Sequence, residues 1–237
     1  FLMNHKFTIE RKELARFGIL ETFFKRKLRH EYTKSIQNSI SEEQQLKIIN
    51  NWKKNNSIKS NSELEQWLHL YELNIDEWIN LINSDYLWTY WCMDKYKKKL
   101  AEYYIKRKDY LDLYYYTIIK VKNKEVADEI YIRIKENESS FNEIVSNFSD
   151  DNEDFSAEKI GPISINKVED ALASLIKIGD LKQLFPPKLS DGYWFIFRKD
   201  NVLKAEFNNQ LKIKLSLELG EKYLNKKFIE NQKKRNV

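Results

Sequence analysis

A single cysteine, Cys92, occurs in 237 residues, which excludes an intrachain disulfide and any multi-cysteine zinc site. Histidine is nearly as scarce. His5, His30 and His69 stand far apart, and no His/Asp/Glu cluster has metal-ligand spacing, so each reads as a surface or satisfied core residue. Neither a metal nor a cofactor is expected. Five scattered glycines cannot build a phosphate-cradling loop. Apolar residues never run unbroken for the ~18 needed to span a bilayer. Residues 1–12 carry charges where a secretory signal needs its apolar stretch, so the expectation is a cytoplasmic protein, although a processed N-terminus reads the same way.

What is present is the composition of a folded domain, 42% hydrophobic and 32% charged with a net charge of +5. The length fits one or two domains. Gly161, Gly179 and Gly192 and all three prolines (Pro162, Pro186, Pro187) fall in one 32-residue window. Only Gly18 and Gly220 interrupt the rest, so residues 1–108 and 203–237 read as long helices and 109–202 as a mixed domain. Charge divides the chain in the same way: +6 for 1–108, −6 for 109–202 and +5 for 203–237.

Leu14, Phe17, Leu20, Phe24 and Leu28 recur at spacings of three and four and predict one first helix. Ser41 with Gln44, and Ser62 with Glu65, have capping-box spacing and mark two more helix starts. From Asn74 to about Lys108 there is neither Gly nor Pro, which predicts one long helix or two in tandem. Phe207, Leu211, Leu215 and Tyr223 form a helical stripe by which 203–237 would return to complete the first domain.

The middle segment begins with Tyr114 to Val121, aromatic and β-branched, hence a buried strand. Ala127, Ile130, Tyr131 and Ile134 define one helix, and Phe141, Ile144, Val145 and Phe148 a second. A polar loop, SDDNEDFSAEK, leads to a short extended stretch Ile160 to Ser164. A short helix near Val168 to Leu175, a Gly179 turn, a Phe185-Pro186-Pro187 corner and a strand Tyr193 to Arg198 follow. The fold class expected is α+β.

This order, with the stretches IIKVKNKEVADEI, FNEIVSNFSDD, EKIGPIS and IKIGDLKQLFPPKLSDGYWFIF, resembles the parvulin (PpiC-type) peptidyl-prolyl isomerase family over about 90 residues. Phe141 to Asp151 and Gly179 to Phe197 are its most specific parts. The flanks resemble the helical domain of SurA-type and PrsA-type chaperone foldases. The resemblance implies a helical domain of N-terminal helices plus a C-terminal helix, with an inserted parvulin-like domain of a four-stranded sheet and helices. It also implies a proline pocket involving Ile163, Val168, Leu172, Phe185, Trp194 and Ile196.

The sequence departs from the family at the catalytic positions. The family's first histidine falls at Thr117 or Ile118, its second at Trp194, and its Asp or Cys near Glu158 or Lys159. Isomerisation makes no bond and needs mainly a dry pocket favouring the twisted amide, so loss of both histidines need not abolish it. An indole at 194 would fill the site, and weak or absent activity is expected. The function implied is binding of peptide or unfolded protein, in peptide maturation or secretion, with a competent prolyl isomerase as the alternative.

Other features have plainer readings. Cys92, between Trp91 and Met93, reads as a core thiol, and Trp52, Trp67, Trp78, Trp88 and Trp91 as core rings of which some are free to line a peptide groove. Asp150, Asp151, Glu153 and Asp154 read as a solvated loop. Lys25, Arg26, Lys27 and Arg29 read as the wet face of a helix; basic residues spread along helices argue against nucleic acid as a partner. Client and oligomeric state are left open.

Overall fold

A computed structural model describes residues 11–147 and 154–233. His5, Phe148, Asp150, Asp151 and Glu153 lie outside the described residues. Helices α1 (Arg11–Arg16), α2 (Leu20–Thr33), α3 (Glu42–Asn55), α4 (Asn61–Leu70), α5 (Ile75–Tyr96) and α6 (Leu100–Leu111) come first. Then follow β1 (Leu113–Val121), α7 (Lys124–Lys135), α8 (Phe141–Asn147), β2 (Phe155–Ser164), α9 (Asp170–Ile178), β3 (Leu184–Ser190), β4 (Tyr193–Leu203) and α10 (Asn209–Lys233). The fold class is α+β.

Two compact units result: Phe1–Ala101 with Asn208–Val237, and Glu102–Phe207. These limits differ from the 109–202 read from turn chemistry, for a local reason. Tyr104 Oη donates to the Ala205 carbonyl at 2.6 Å, and its ring stacks on Phe207 at 4.9 Å. The Ala205 amide in turn donates to Asp112 Oδ1 at 2.8 Å. Most of α6 and the residues after β4 therefore pack with the sheet. Phe207 is correspondingly outside α10, whose buried residues are Leu215, Ser216, Gly220 and Leu224.

In the helical unit, α5 packs its C-terminal half against α2 and α10. Gly220 is no helix breaker: a Cβ there would lie 2.5 Å from Cys92 Sγ and 2.9 Å from Trp88 Cζ2, so glycine is what lets α10 approach α5. Leu215, Leu224, Trp88 and Cys92 are buried around that contact. Toward the other end of α5, Trp52, Trp67 and Trp78 meet edge to face at 4.8 and 5.3 Å over Leu64 and Leu68. Trp78 is core, and Trp52 and Trp67 are half-buried against it. Of the basic run, Lys25 pairs with Glu21 at 2.6 Å, and Arg29 pairs with Glu221 and lies 5.3 Å from the Trp88 ring.

Several helix starts follow cap chemistry, with two departures from the sequence reading. Gly18, at φ +70, splits the first predicted helix into α1 and α2, and Phe17 is left 76% exposed. The capping box is Ser60 with Glu63, not Ser62 with Glu65, and Asn74 with Glu77 forms a second box at the start of α5. The stretch after Asn74 is two helices in tandem.

The sheet is antiparallel with order β2-β1-β4-β3. β2 starts at Phe155, so five residues read as loop belong to a strand; pairing with the apolar β1 overrides their polar composition. Pro186 and Pro187 are tolerated because β3 is an edge strand. Asp191 (φ +47) and Gly192 (φ +80) make the tight hairpin turn into β4. Alternation gives two cores: Tyr114, Tyr116, Ile118, Phe195 and Phe197 face α9, while Ile119, Val121 and Ile196 face α7 and α8.

Two outcomes test this packing. Gly220→Val should cost at least about 2 kcal/mol, since buried neighbours resist overpacking, with partial recovery of the melting temperature in Gly220→Val/Cys92→Ala; unchanged melting of the single variant would refute the close approach. Burial pushes the Cys92 thiol up to about 12, opposed by Arg29, so it stays protonated. A disulfide-based thiol reagent at pH 8 should react negligibly with the native chain and fully in denaturant; rapid native labelling would contradict this.

Candidate functional site

The α9 face of the sheet contains a cavity of about 480 Å³. Its floor is Tyr116 and Ile118 of β1 with Tyr193 and Phe195 of β4, and Ile160 closes one side from β2. Val168 and Leu172, just before and within α9, form the facing wall. Strand parity does the sorting: 116 and 118, 193 and 195 each share a face because successive residues point to opposite sides. Lys120, Lys167, Glu169 and Asp191 add charges of both signs.

Helix α9 is held over this face at its C-terminal end. A Cβ on Gly179 would lie 2.3 Å from Phe185 Cζ, so only glycine admits that ring. The buried Lys199 ammonium donates to the Gly179 carbonyl at 2.7 Å, a cation placed at a helix C-terminus. Burial lowers the Lys199 pKa, with Asp180 opposing. At the other end, Ser190 Oγ donates to Glu169 Oε1 at 2.5 Å and ties the helix start to β3.

The polar group set deepest among these rings is the Tyr116 phenol. Burial, then the carboxylates of Glu158 and Glu169, raise its pKa, so it is a neutral donor through the physiological range. Lys120 Nζ lies 5.8 Å from the Phe195 ring centroid. Such a cavity buries an apolar side chain and offers hydroxyls, those of Tyr116, Tyr193 and Ser156, to a carbonyl. Among the described residues, neither histidine nor cysteine lines it.

The predicted site residues separate by parity. Ile118 lines the cavity, and Glu158 pairs directly with it across β2. Thr117 and Lys159 pair with each other on the opposite face, where the buried Thr117 Oγ1 donates to Asp200 Oδ2 at 2.5 Å. Trp194 also faces away: it pairs with Val121, packs on the α7 and α8 core, and has Lys124 Nζ 5.4 Å from its ring. It therefore does not fill this cavity, contrary to the sequence expectation. Ile196 is fully buried in that same opposite core.

Of the remaining predicted residues, Val168 and Leu172 line the cavity, and Ile163 packs on its core. Phe185 lies inside that core, stacked on Phe197 at 4.3 Å. Sequence reasoning missed Tyr116, Ile160, Tyr193 and Phe195. Their signal was the same alternation, counted from Ile118 instead of Trp194. His30 and His69 lie on α2 and α4, Asp154 pairs with Lys122 at 2.7 Å, and no metal-binding cluster occurs among the described residues.

No protein-family model matches the sequence, and no curated protein matches it. Among solved structures, the chain is similar to the peptidylprolyl isomerase PrsA of Bacillus anthracis at 15% identity, covering 89% of this chain and 96% of that one, with a TM-score of 0.37. It is similar to PrsA of Bacillus cereus at 14% identity, covering 94% and 84%, with a TM-score of 0.41. A SurA-like chaperone of Campylobacter jejuni matches at 9% identity, covering 97% and 87%, with a TM-score of 0.25.

The position of Trp194 has a direct consequence. Trp194→Ala should lower the melting temperature through lost packing, yet change affinity for a proline-containing peptide by less than about twofold, the size of effect expected from a site with no contact. A severalfold gain in affinity would show that the indole does plug the cavity.

Proposed function

We propose that this protein is a chaperone-like foldase whose sheet unit binds apolar segments of peptides or unfolded chains, with little or no prolyl isomerase activity. The observation that carries the reading is the α9-face cavity: aromatic floor, aliphatic walls, a neutral phenol donor and balanced charges at its edge. Apolar walls with few polar groups are the usual build of a ligand pocket. Its size suits a proline or another apolar side chain together with the flanking peptide backbone. Lysine and carboxylate side chains at the edge would contact the peptide backbone on either side.

The weak-isomerase half of the proposal rests on chemistry. Twisting a prolyl amide localises charge on its oxygen and nitrogen, and a preorganised donor lowers that barrier. Tyr116 is a weakly acidic donor, and Ile118 and Phe195 are inert. Some acceleration by desolvation is compatible with this cavity; a fully competent isomerase is the second reading.

Both are tested on the full chain with a proline-containing peptide and an Xaa-Pro tetrapeptide assay. Ile160 and Tyr193 are only half-buried, so Ile160→Asp and Tyr193→Ala should fold, and each should weaken peptide binding about tenfold, roughly 1.4 kcal/mol. Unchanged binding would move the client site elsewhere. Cis-to-trans interconversion should accelerate only slightly; rapid turnover abolished by Tyr116→Phe would establish the isomerase reading.

A further inference from the structure

The opposite face of the sheet carries a second cavity, of about 710 Å³, between α7, α8 and β3. Ile134, Phe141 and Leu184 give it an apolar wall, and Lys135, Lys182 and Arg198 reach it from three different elements of the chain. No Asp or Glu side chain lines it among the described residues. Asp200, the acid paired with Arg198, is already committed. Its Oδ1 accepts from Arg198 Nε and Nη2, both at 2.8 Å, and its Oδ2 from Thr117 Oγ1 at 2.5 Å.

Asp200 holds Arg198 in place and does not cancel the site. The guanidinium is also 4.7 Å from the Phe141 ring centroid, so its orientation is set by packing as well as by charge. Nη1 has no hydrogen-bond partner among the described residues. Lys182 Nζ is 3.6 Å from Asp200, while its side chain is 68% exposed; Lys135 has no ion-pair partner among the described residues. Glu143, whose Oε2 accepts from the amide of the lining residue Ser140 at 2.8 Å, lies beside the cavity as well, but the lining itself carries three cations and, among the described residues, no carboxylate. Lys182 also sits at φ +67, a conformation that lysine adopts at a cost, held there by its amide donating to the Lys199 carbonyl at 2.7 Å.

We infer that this cavity binds the C-terminal residue of a peptide, an apolar side chain against Ile134, Phe141 and Leu184 and the α-carboxylate between Arg198, Lys182 and Lys135. A hydrated phosphate has no use for the apolar wall. A small organic acid would leave most of the volume empty, since cavities of ~300–1,000 Å³ enclose drug-sized ligands. A chain end supplies the anion, the apolar group and further backbone to occupy the rest. The inference is independent of the α9-face cavity, and the test keeps them separate.

The full chain is titrated, by fluorescence anisotropy at 0.15 M salt, with an N-terminally labelled hexapeptide ending in Phe, as the free acid and as the C-terminal amide. The free acid should bind about tenfold more tightly, in line with charge-assisted hydrogen bonds to a carboxylate. Lys135→Gln/Lys182→Gln, whose side chains are exposed and whose folding is checked by circular dichroism, should reduce that preference below about twofold. Ile160→Asp should leave the preference intact, and 3-phenylpropionate should compete only at far higher concentration. Equal binding of acid and amide, a preference that survives the double lysine variant or is lost in Ile160→Asp, or equally tight binding of 3-phenylpropionate would each overturn the inference.

Discussion

Strand β1 is paired along its length on both sides, with β2 and with β4, and every functional feature of the sheet unit depends on the register of those two ladders. Because side chains alternate, a shift of one residue would exchange the two faces and put Thr117 where Ile118 now stands. The apolar residues on both sides forbid that shift. Tyr114, Tyr116 and Ile118 match the α9 core, Ile119 and Val121 match the α7 and α8 core, and the irregularities in pairing fall between residues 114 and 116. A strand buried on both faces thus acts as the partition between two chemically different cavities.

The two faces differ because different groups were left over once the cores were filled. On the α9 side, aromatic rings of β1 and β4 leave a largely apolar floor with mixed charges around it. On the other side, the pair Arg198–Asp200 satisfies the buried hydroxyl of Thr117 and fixes a guanidinium against Phe141. A buried hydroxyl must find an acceptor, and an acceptor carboxylate near the interior must find a cation. That requirement accounts for a charged pair at a place where simple sheet packing would use apolar residues.

The helical unit has its own organising contact. α5 and α10 are far apart in sequence, and their close approach is made possible by the missing side chain at Gly220 over Cys92 and Trp88. Large rings on α5 then pack toward both ends of the helix and supply much of this unit's interior. The same burial keeps the thiol protonated and inert.

Local patterns in the sequence were sufficient for the order of elements in the sheet unit, for the apolar stripes of α7 and α8, and for the return of a C-terminal helix, because these depend on periodicity and turn residues within a few positions. Val168, Leu172 and Ile118 came among the candidates through the family resemblance and not through these local patterns. Only tertiary structure decided the face on which each strand residue lies. Ile118 and Thr117 were equivalent by spacing, and Trp194 was aligned by its neighbours Gly192 and Tyr193, yet pairing with Val121 turns it to the far side. The strand start at Phe155, the role of Gly220 and the Arg198–Asp200 pair escaped a linear reading for one reason. Each depends on a residue at least 30 positions away, Val121 for Phe155, Cys92 for Gly220 and Thr117 for Asp200, and nothing in the adjacent residues encodes that partner.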